Sequence, residues 1–263
     1  MTDDGTVIRV TGQSLDGVAL VTGGGSGIAR ETAILLGASG TVVAVADINL
    51  ETAQETAQSI ALSGGQAAAF ELDVSNPANV ADVVAGIERD MDQIDYLVNL
   101  AGSFATAELA DISDTLWADT ISVHLNGTFY TCRAIVPSMM DRQRGAVVNT
   151  SSLFALRGQA EASHYAAAKG AVIGFSKSIA REAGPSNVRV NVVVPGPVDT
   201  PFFARGMSGD ELDRVRRDRA GVIPLGKIGR ADEIAPVIAF LLGAGAAHMT
   251  GQILPVDGGE MMR

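Results

Sequence analysis

The chain has 263 residues, of which 47% are hydrophobic and 19% charged, a size and composition typical of one α/β domain with a large core. Its formal net charge of −11 argues against nucleic acid as a partner, because phosphates would be repelled. One cysteine, Cys132, permits neither an internal disulfide nor a zinc site, and no apolar run could cross a membrane, so we expect no metal, no membrane and a cytoplasmic location.

The chain begins with residues 1–14, an acidic stretch without an apolar segment, which we interpret as an extension preceding a single catalytic domain over 15–263. Seven apolar, often β-branched runs then predict strands: Val18–Thr22, Thr41–Asp47, Ala67–Leu72, Tyr96–Asn99, Ala146–Thr150, Val188–Val194 and Gln252–Val256. Amphipathic stretches between them, such as Leu50–Ser63 and Ala78–Met91, predict helices.

This alternation predicts an α/β fold, a doubly wound Rossmann-type parallel sheet of seven strands with helices on both faces. The segment 195–230 interrupts the rhythm and is rich in glycine, proline and charge. We expect it to form a substrate loop that contains a short helix around Asp210–Ala220.

The first predicted strand leads into a glycine-rich turn, Thr22–Ala29, and then into a predicted helix. Free backbone N–H groups at a helix N-terminus attract anions, and glycine allows a pyrophosphate to approach. Gly23, Ser26, Gly27 and Ile28 are therefore candidates for binding a dinucleotide.

Asp47 ends the second predicted strand, 20 residues after Gly27. At that distance an acidic side chain can accept hydrogen bonds from the adenosine ribose, and it would repel a 2′-phosphate. Neither Ser26 nor Ile48 offers a compensating cation, which favours NAD over NADP. The alternative is that Asp47 merely caps the next helix.

Three further residues predict proton-transfer chemistry. Tyr165 and Lys169 are four residues apart on a predicted helix, so phenol and ammonium can share one face, and a nearby cation favours the phenolate. Ser152 follows a predicted strand, at the edge of a parallel sheet where ligands bind. Alcohol oxidation needs a group that removes the hydroxyl proton, and Tyr165 could be that group. The alternative is that Tyr165 and Lys169 are an ordinary pair on an amphipathic helix.

Together these motifs resemble the short-chain dehydrogenase/reductase family. The resemblance implies that Ser152, Tyr165 and Lys169 are catalytic and that Tyr165 and Lys169 also contact the cofactor. It implies further cofactor-binding residues at Ile48, Asp73, Val74, Asn99, Ala101, Gly102, Pro195, Val198 and Thr200. The C-terminal segment from Thr250 to Gly259 resembles that family's last strand motif.

The chain departs from the family pattern at three positions. Ala29 replaces a glycine of the turn, and Leu100 replaces an asparagine after the fourth strand. His124 stands where the family has a catalytic asparagine that helps hold a water near the lysine. His124 is therefore a candidate catalytic residue in a proton relay, or else a buried structural histidine; Asn126 is not expected to take over the role.

The sequence thus predicts an NAD(H)-dependent dehydrogenase or reductase for a secondary alcohol or ketone, assembled as a homotetramer. One alternative is a 3-oxoacyl-carrier-protein reductase, against which Asp47 and the net acidity argue; another is a catalytically weak dinucleotide sensor. Candidate substrate-side residues are Phe154, Arg157, Gln159, His164, Phe202, Phe203 and Met207.

Overall fold

A computed structural model describes residues 15–262, and its main sheet contains seven parallel strands in the order β3-β2-β1-β4-β5-β6-β9. The strands are β1 (Val18–Thr22), β2 (Val42–Asp47), β3 (Gln66–Glu71), β4 (Ile94–Asn99), β5 (Gly145–Thr150), β6 (Val188–Pro195) and β9 (Ile253–Val256). All seven predicted strands are present, and the predicted Rossmann-type fold is confirmed. The proposed extension over 1–14 lies outside the described residues.

Helices cover both faces of this sheet. They are α1 (Gly27–Ala38), α2 (Leu50–Leu62), α3 (Pro77–Met91), α4 (Asp114–Ile121), α5 (Gly127–Asp141), α6 (Leu153–Arg157), α7 (Ser163–Ala183), α8 (Gly209–Ala220) and α9 (Ala231–Leu242). The predicted helix starts are confirmed, because the side chains of Asn49 and Asn76 cap α2 and α3 and Pro77 occupies the first turn of α3. Within the described residues, no helix is long and apolar enough to cross a membrane.

Two hydrophobic clusters sandwich the strands. One packs α1, α2 and α9 on the sheet, with Leu36, Ile60 and Ile238 at its centre. The other packs α3, α5 and α7, and it contains the buried Cys132, whose pKa is raised to about 12 by burial. Strands covered on both faces are mostly apolar, which explains why runs such as Val42–Ala46 lack the polar alternation of an exposed sheet.

The order of the strands reverses at β1, which lies between β2 and β4. The helices that follow β1 and β4 leave in opposite directions, so a crevice opens at the carboxyl ends of these two strands. The Thr22 hydroxyl joins both sides of the crevice, because it accepts hydrogen bonds from the backbone N–H groups of Leu100 and Ala101 at 3.1 and 3.2 Å.

The segment 195–230 leaves the main sheet after β6 and doubles back on itself. Two short strands, β7 (Val198–Asp199) and β8 (Gly229–Arg230), pair with each other and bracket α8, the helix expected there. Arg216 of α8 forms an ion pair with Asp199 at 2.8 Å, which ties this helix to β7. We refer to residues 195–230 as the substrate loop.

Candidate active site

A cavity of about 430 Å³ lies at the carboxyl ends of the central strands, beneath the substrate loop. We call it the active-site cavity. Of the predicted site residues, those that line it are Gly23, Ser26, Gly27, Ile28, Asp47, Gly102, His124, Ser152, Tyr165, Lys169, Pro195, Val198 and Thr200. Residues far apart in the sequence are thus brought to a single cavity.

The glycine turn has the shape that a bound pyrophosphate requires. Gly23 has φ +72°, and a side chain there would lie 2.9 Å from the Cα of Ala101. Gly27 has φ +55° and begins α1, whose N-terminal end borders the cavity. Ser26 makes no side-chain cap, so backbone N–H groups of the first turn are left for an anion. These residues fit a dinucleotide.

Asp47 lies at the far end of this turn. Its Oδ2 accepts a hydrogen bond from the Gly25 N–H at 3.0 Å, and its Oδ1 accepts one from the Asn49 N–H at 3.0 Å. The cap of α2 is Asn49, whose Oδ1 accepts from the backbone N–H groups of Glu51 and Thr52. Asp47 is therefore not the N-cap of α2, and this residue borders the cavity.

Five predicted cofactor residues do not line the cavity: Ile48, Asp73, Val74, Asn99 and Ala101. The Asn99 side chain is buried, donates to Asn149 Oδ1 at 2.9 Å and accepts from the Thr131 hydroxyl at 2.8 Å. The Asp73 carboxylate accepts from the Ser75 hydroxyl at 2.6 Å. In the structure Asn99 joins β4 to β5 and α5, a long-range effect that the motif spacing does not reveal, whereas the Asp73 carboxylate closes a local turn before α3.

The remaining three are placed differently. Ile48 is exposed at the start of α2, Val74 packs closely against Gly127 of α5, and Ala101 supports the glycine turn from behind. The sequence predictions missed several lining residues, among them Phe104, Leu153, Pro197 and Arg219. Arg219 carries no recognisable motif, since it reaches the cavity only through the path of the substrate loop.

Ser152, Tyr165 and Lys169 lie together in the centre of the cavity wall. Tyr165 and Lys169 share one face of α7, and the Lys169 ammonium lies 5.9 Å from the centre of the tyrosine ring. The ammonium donates to the Thr150 carbonyl at 2.9 Å, which fixes it at the end of β5. Ser152 caps α6 by accepting from the Phe154 N–H at 3.2 Å, so its hydroxyl is also held in place.

Burial controls the protonation of this group. Burial raises the pKa of Tyr165 to about 12, although a hydrogen bond with Ser152 lowers it somewhat, and burial lowers the pKa of Lys169 to about 8. The sequence predicts that the Lys169 cation and the charge of an oxidised nicotinamide favour the phenolate; in the ligand-free protein, desolvation of the phenol is the largest effect and raises its pKa. Tyr165 is therefore a protonated phenol at neutral pH, ready to donate its proton.

His124 occupies a single π-helical turn, Ser122–Asn126, between α4 and α5. Its ring is buried edge-on to Tyr165, with ring centroids 5.1 Å apart. The Nε2 atom lies 2.7 Å from the Ser103 carbonyl oxygen and 3.3 Å from the Ser103 backbone nitrogen. The shorter contact is to an oxygen that can only accept, which favours the proton on Nε2. Nδ1 is then an acceptor, buried and without a partner among the described residues.

This geometry favours a positioning role for His124 over a proton-carrying one. Burial lowers the pKa of His124 to about 3, with a further contribution from the Lys169 charge, so the ring is neutral at physiological pH. A proton accepted at Nδ1 would have to leave from Nε2, and a backbone carbonyl cannot take it onward. Nδ1 can still accept a hydrogen bond from a water molecule.

Three phenylalanines surround the Tyr165 ring. Phe104, Phe154 and Phe202 come from the loop after β4, from α6 and from the substrate loop, with ring centroids 5.1, 6.1 and 6.3 Å from that of Tyr165. We call this arrangement the aromatic box. It excludes water from the phenol and offers stacking surfaces to an apolar substrate.

The predicted substrate-side residues divide into two groups. Phe154, Phe202, Phe203 and Met207 line the cavity, as the sequence indicates. Arg157, Gln159 and His164 lie behind or beside it: Arg157 stacks on Phe154, Gln159 is exposed, and His164 is buried within α7.

The fold and the site together define a Rossmann-type oxidoreductase, and comparisons with known proteins agree. A family model described as Enoyl-(Acyl carrier protein) reductase matches residues 23–260. The 3-oxoacyl-(acyl-carrier-protein) reductase of Chlamydia trachomatis serovar D is 36% identical over 95% of this chain and 99% of its own length.

Two other similar proteins are named as a cyclohexanol dehydrogenase and a levodione reductase. The cyclohexanol dehydrogenase of Acinetobacter sp. strain SE19 is 36% identical over 92% of this chain and 93% of its own length. The crystal structure of levodione reductase superposes with a TM-score of 0.89 at 29% identity, covering 92% of this chain and 96% of that one. The chain therefore belongs to the short-chain dehydrogenase/reductase family, as the motifs indicated.

The contact between His124 and Ser103 leads to a prediction. His124→Ala removes the donor to the Ser103 carbonyl and leaves a void beside Tyr165, so we expect a loss of about 2–4 kcal/mol in the free energy of unfolding. His124→Asn, which retains a donor, should lose less. Urea denaturation followed by circular dichroism measures both losses. An undiminished stability of His124→Ala, together with reduced turnover per folded molecule, would restore the relay interpretation.

Proposed function

We propose that this protein is an NAD(H)-dependent dehydrogenase or reductase of a secondary alcohol or ketone, with residues 195–230 as its substrate loop and one catalytic domain. The proposal depends on one observation. Ser152, Tyr165 and Lys169 line the same cavity, together with the glycine turn and the aromatic box. Its buried free thiol favours a cytoplasmic location.

In this proposal a bound nicotinamide would supply or accept the hydride, while side chains of the protein donate or remove the proton. Tyr165 donates its phenolic proton to the carbonyl oxygen during reduction and removes the hydroxyl proton during oxidation. Ser152 holds the reacting oxygen beside the phenol. Lys169 binds the nicotinamide ribose and favours the phenolate, and its own position is set by Thr150.

Asp47 supports the choice of NAD. Its carboxylate borders the cavity and is held by two backbone N–H groups, so it cannot easily turn away from a 2′-phosphate. In this proposal five of the predicted cofactor residues act indirectly. They shape the glycine turn, the loop after β4 and the part of the site that would hold the adenine: Ile48, Asp73, Val74, Asn99 and Ala101.

A second candidate function is a 3-oxoacyl-carrier-protein reductase, which several relatives are by name. The net charge of −11 does not favour an acidic carrier protein, and Asp47 does not favour NADPH. A dinucleotide sensor without activity is disfavoured by the intact arrangement of Ser152, Tyr165 and Lys169.

The helices α5 and α7 carry a surface that supports the homotetramer. Phe129 and Tyr130 are stacked with Arg133, and Phe129 also contacts Phe175 of α7 edge-on. Such an apolar, aromatic helix surface is typical of subunit interfaces. We propose that copies of the chain associate through this surface, without nucleic acid or membrane as partners.

The first prediction of this proposal concerns the cofactor. The wild-type protein should bind NADH at least about tenfold more tightly than NADPH, because a 2′-phosphate meets the Asp47 charge and loses the ribose hydrogen bonds. Asp47→Asn should reduce that ratio, whereas Glu51→Gln, a charge removal on the exposed start of α2, should not. Isothermal calorimetry gives the affinities; equal binding of both cofactors by the wild type would contradict the proposal.

The second prediction concerns Tyr165. Tyr165→Phe should lower turnover of a secondary alcohol or ketone by about 10²–10⁴-fold, because only the acid–base hydroxyl is lost. NADH affinity should change little, since the ring still packs. Tyr130→Phe on α5 is the matched control and should retain activity. Wild-type turnover in Tyr165→Phe would refute this mechanism.

The third prediction concerns pH. Because burial keeps Tyr165 protonated, kcat/KM for alcohol oxidation should rise as the pH increases and the phenol loses its proton, while ketone reduction should not need a high pH. Lys169→Ala should move the rise in oxidation to higher pH, because the phenolate loses its neighbouring cation. Initial rates by absorbance at 340 nm across the alkaline range test this; an oxidation profile unaffected by Lys169→Ala would count against the assigned role.

The fourth prediction concerns assembly. Light scattering at micromolar concentration should give the mass of four chains, and Phe129→Asp should shift it towards smaller species because a charge would be buried at the contact. Leu62→Asp, at the exposed end of α2, is the control. A single-chain mass for the wild type would exclude the tetramer.

A further inference from the structure

At the outer side of the aromatic box lies a group of three charged residues, Arg157, Arg219 and Glu260, which we call the charged cluster. Both guanidinium groups donate to the same oxygen of Glu260, at 3.2 Å from Arg157 and 2.8 Å from Arg219. The Glu260 side chain is only 8% exposed, and its second oxygen has no partner within the described residues. Two cations thus face one anion.

Arg219 is the member of the cluster that lines the cavity. It sits near the end of α8 in the substrate loop, and its side chain is 29% exposed. Its hydrogen bond to Glu260 engages Nη2, one of the five N–H donors that a guanidinium carries. Among the cavity-lining residues described, the other cation is Lys169, whose ammonium is already bound to the Thr150 carbonyl.

The position of the cluster relative to the reacting groups is fixed by Phe154. Arg157 lies over the Phe154 ring at 5.3 Å, and that ring is 6.1 Å from the Tyr165 ring. Arg219 shares a carboxylate oxygen with Arg157, so it lies on the Phe154 side of the box. A molecule with its carbonyl at Tyr165 would extend across apolar rings and end near a guanidinium.

We propose that Arg219 binds a carboxylate of the substrate, and that the preferred substrate is a ring-bearing ketone, or its alcohol, with a carboxylate at the end remote from the reacting carbon. This inference rests on the proposed function. A carboxylate there would balance the excess positive charge of the cluster and use the free donors of Arg219. The low dielectric of the aromatic box strengthens such a pair.

The same contacts allow a simpler role, in which Arg219 and Glu260 only tie α8 to the C-terminal segment. The two roles predict different effects of removing each partner of the Arg219–Glu260 ion pair. As a tether, Arg219→Gln and Glu260→Gln should have the same effect. As an anion site, Arg219→Gln should weaken carboxylate recognition, whereas Glu260→Gln should strengthen it by removing the competing charge.

The test uses para-acetylbenzoate and para-methylacetophenone, a matched anionic and neutral pair, with NADH and NADPH. We expect the wild type to favour the anionic ketone at least about tenfold in kcat/KM, mainly through KM, since a charged hydrogen bond is lost with the neutral one. The ratio between the two substrates should fall at least about tenfold in Arg219→Gln and rise in Glu260→Gln. Arg217→Gln, an equal charge change on the exposed side of α8, should leave the ratio unchanged.

Two results would overturn the inference alone: turnover of the neutral ketone as good as that of the anionic one by the wild type, or a parallel change of the ratio in Arg219→Gln and Glu260→Gln. Turnover of other secondary alcohols but of neither ketone would also overturn the inference alone. Absence of turnover of both ketones and of a panel of secondary alcohols, with both cofactors, would overturn the proposed function, and this inference with it.

Discussion

The site depends on one constraint, the impossibility of joining parallel strands by tight turns. Every connection must cross a face of the sheet, so all carboxyl ends emerge at the same edge. At the reversal between β1 and β4, that edge receives the glycine turn from β1, Asp47 from β2 and Ser152 just beyond β5. The catalytic residues can therefore lie far apart in the sequence, because the sheet brings the ends of different strands together at one edge.

The same arrangement sets the electrostatics of the catalytic pair. Lys169 and Tyr165 are brought to the sheet edge by a helix that packs on the core, so both are buried. Burial penalises the ammonium and the phenolate alike, and it moves their pKa values towards the neutral forms. The Tyr165 phenol thus keeps its proton in the ligand-free chain. Removing that proton at neutral pH requires more positive charge near the phenol than the ligand-free chain provides.

The sequence predicted those parts of the molecule that obey local rules. The strands, the caps Asn49 and Asn76, the glycine turn and the helical spacing of Tyr165 and Lys169 each depend on residues close together in the chain. What it missed depends on long-range packing. Asn99 carries a family motif, yet its side chain bonds to Asn149, 50 residues away, instead of lining the cavity.

Arg219 illustrates the opposite error, since it looks like one more surface arginine of a highly charged helix. Its place in the cavity follows only from the return of the substrate loop and from Glu260 near the C-terminus. Phe104 likewise joins the aromatic box from a loop without a distinctive pattern.

The π-helical turn at Ser122–Asn126 has a consequence for how this helix pair can evolve. A π turn contains one residue more than an α-helical turn, and one residue corresponds to about 100° of rotation around a helix axis. Deleting a single residue here would convert the π turn into an ordinary α-helical turn, and the later side chains of α5, such as Cys132, Ile135 and Met139, would keep their places in the core. The extra residue therefore sets the direction of His124 alone, and this turn can gain or lose it without disturbing the burial of the following fifteen-residue helix.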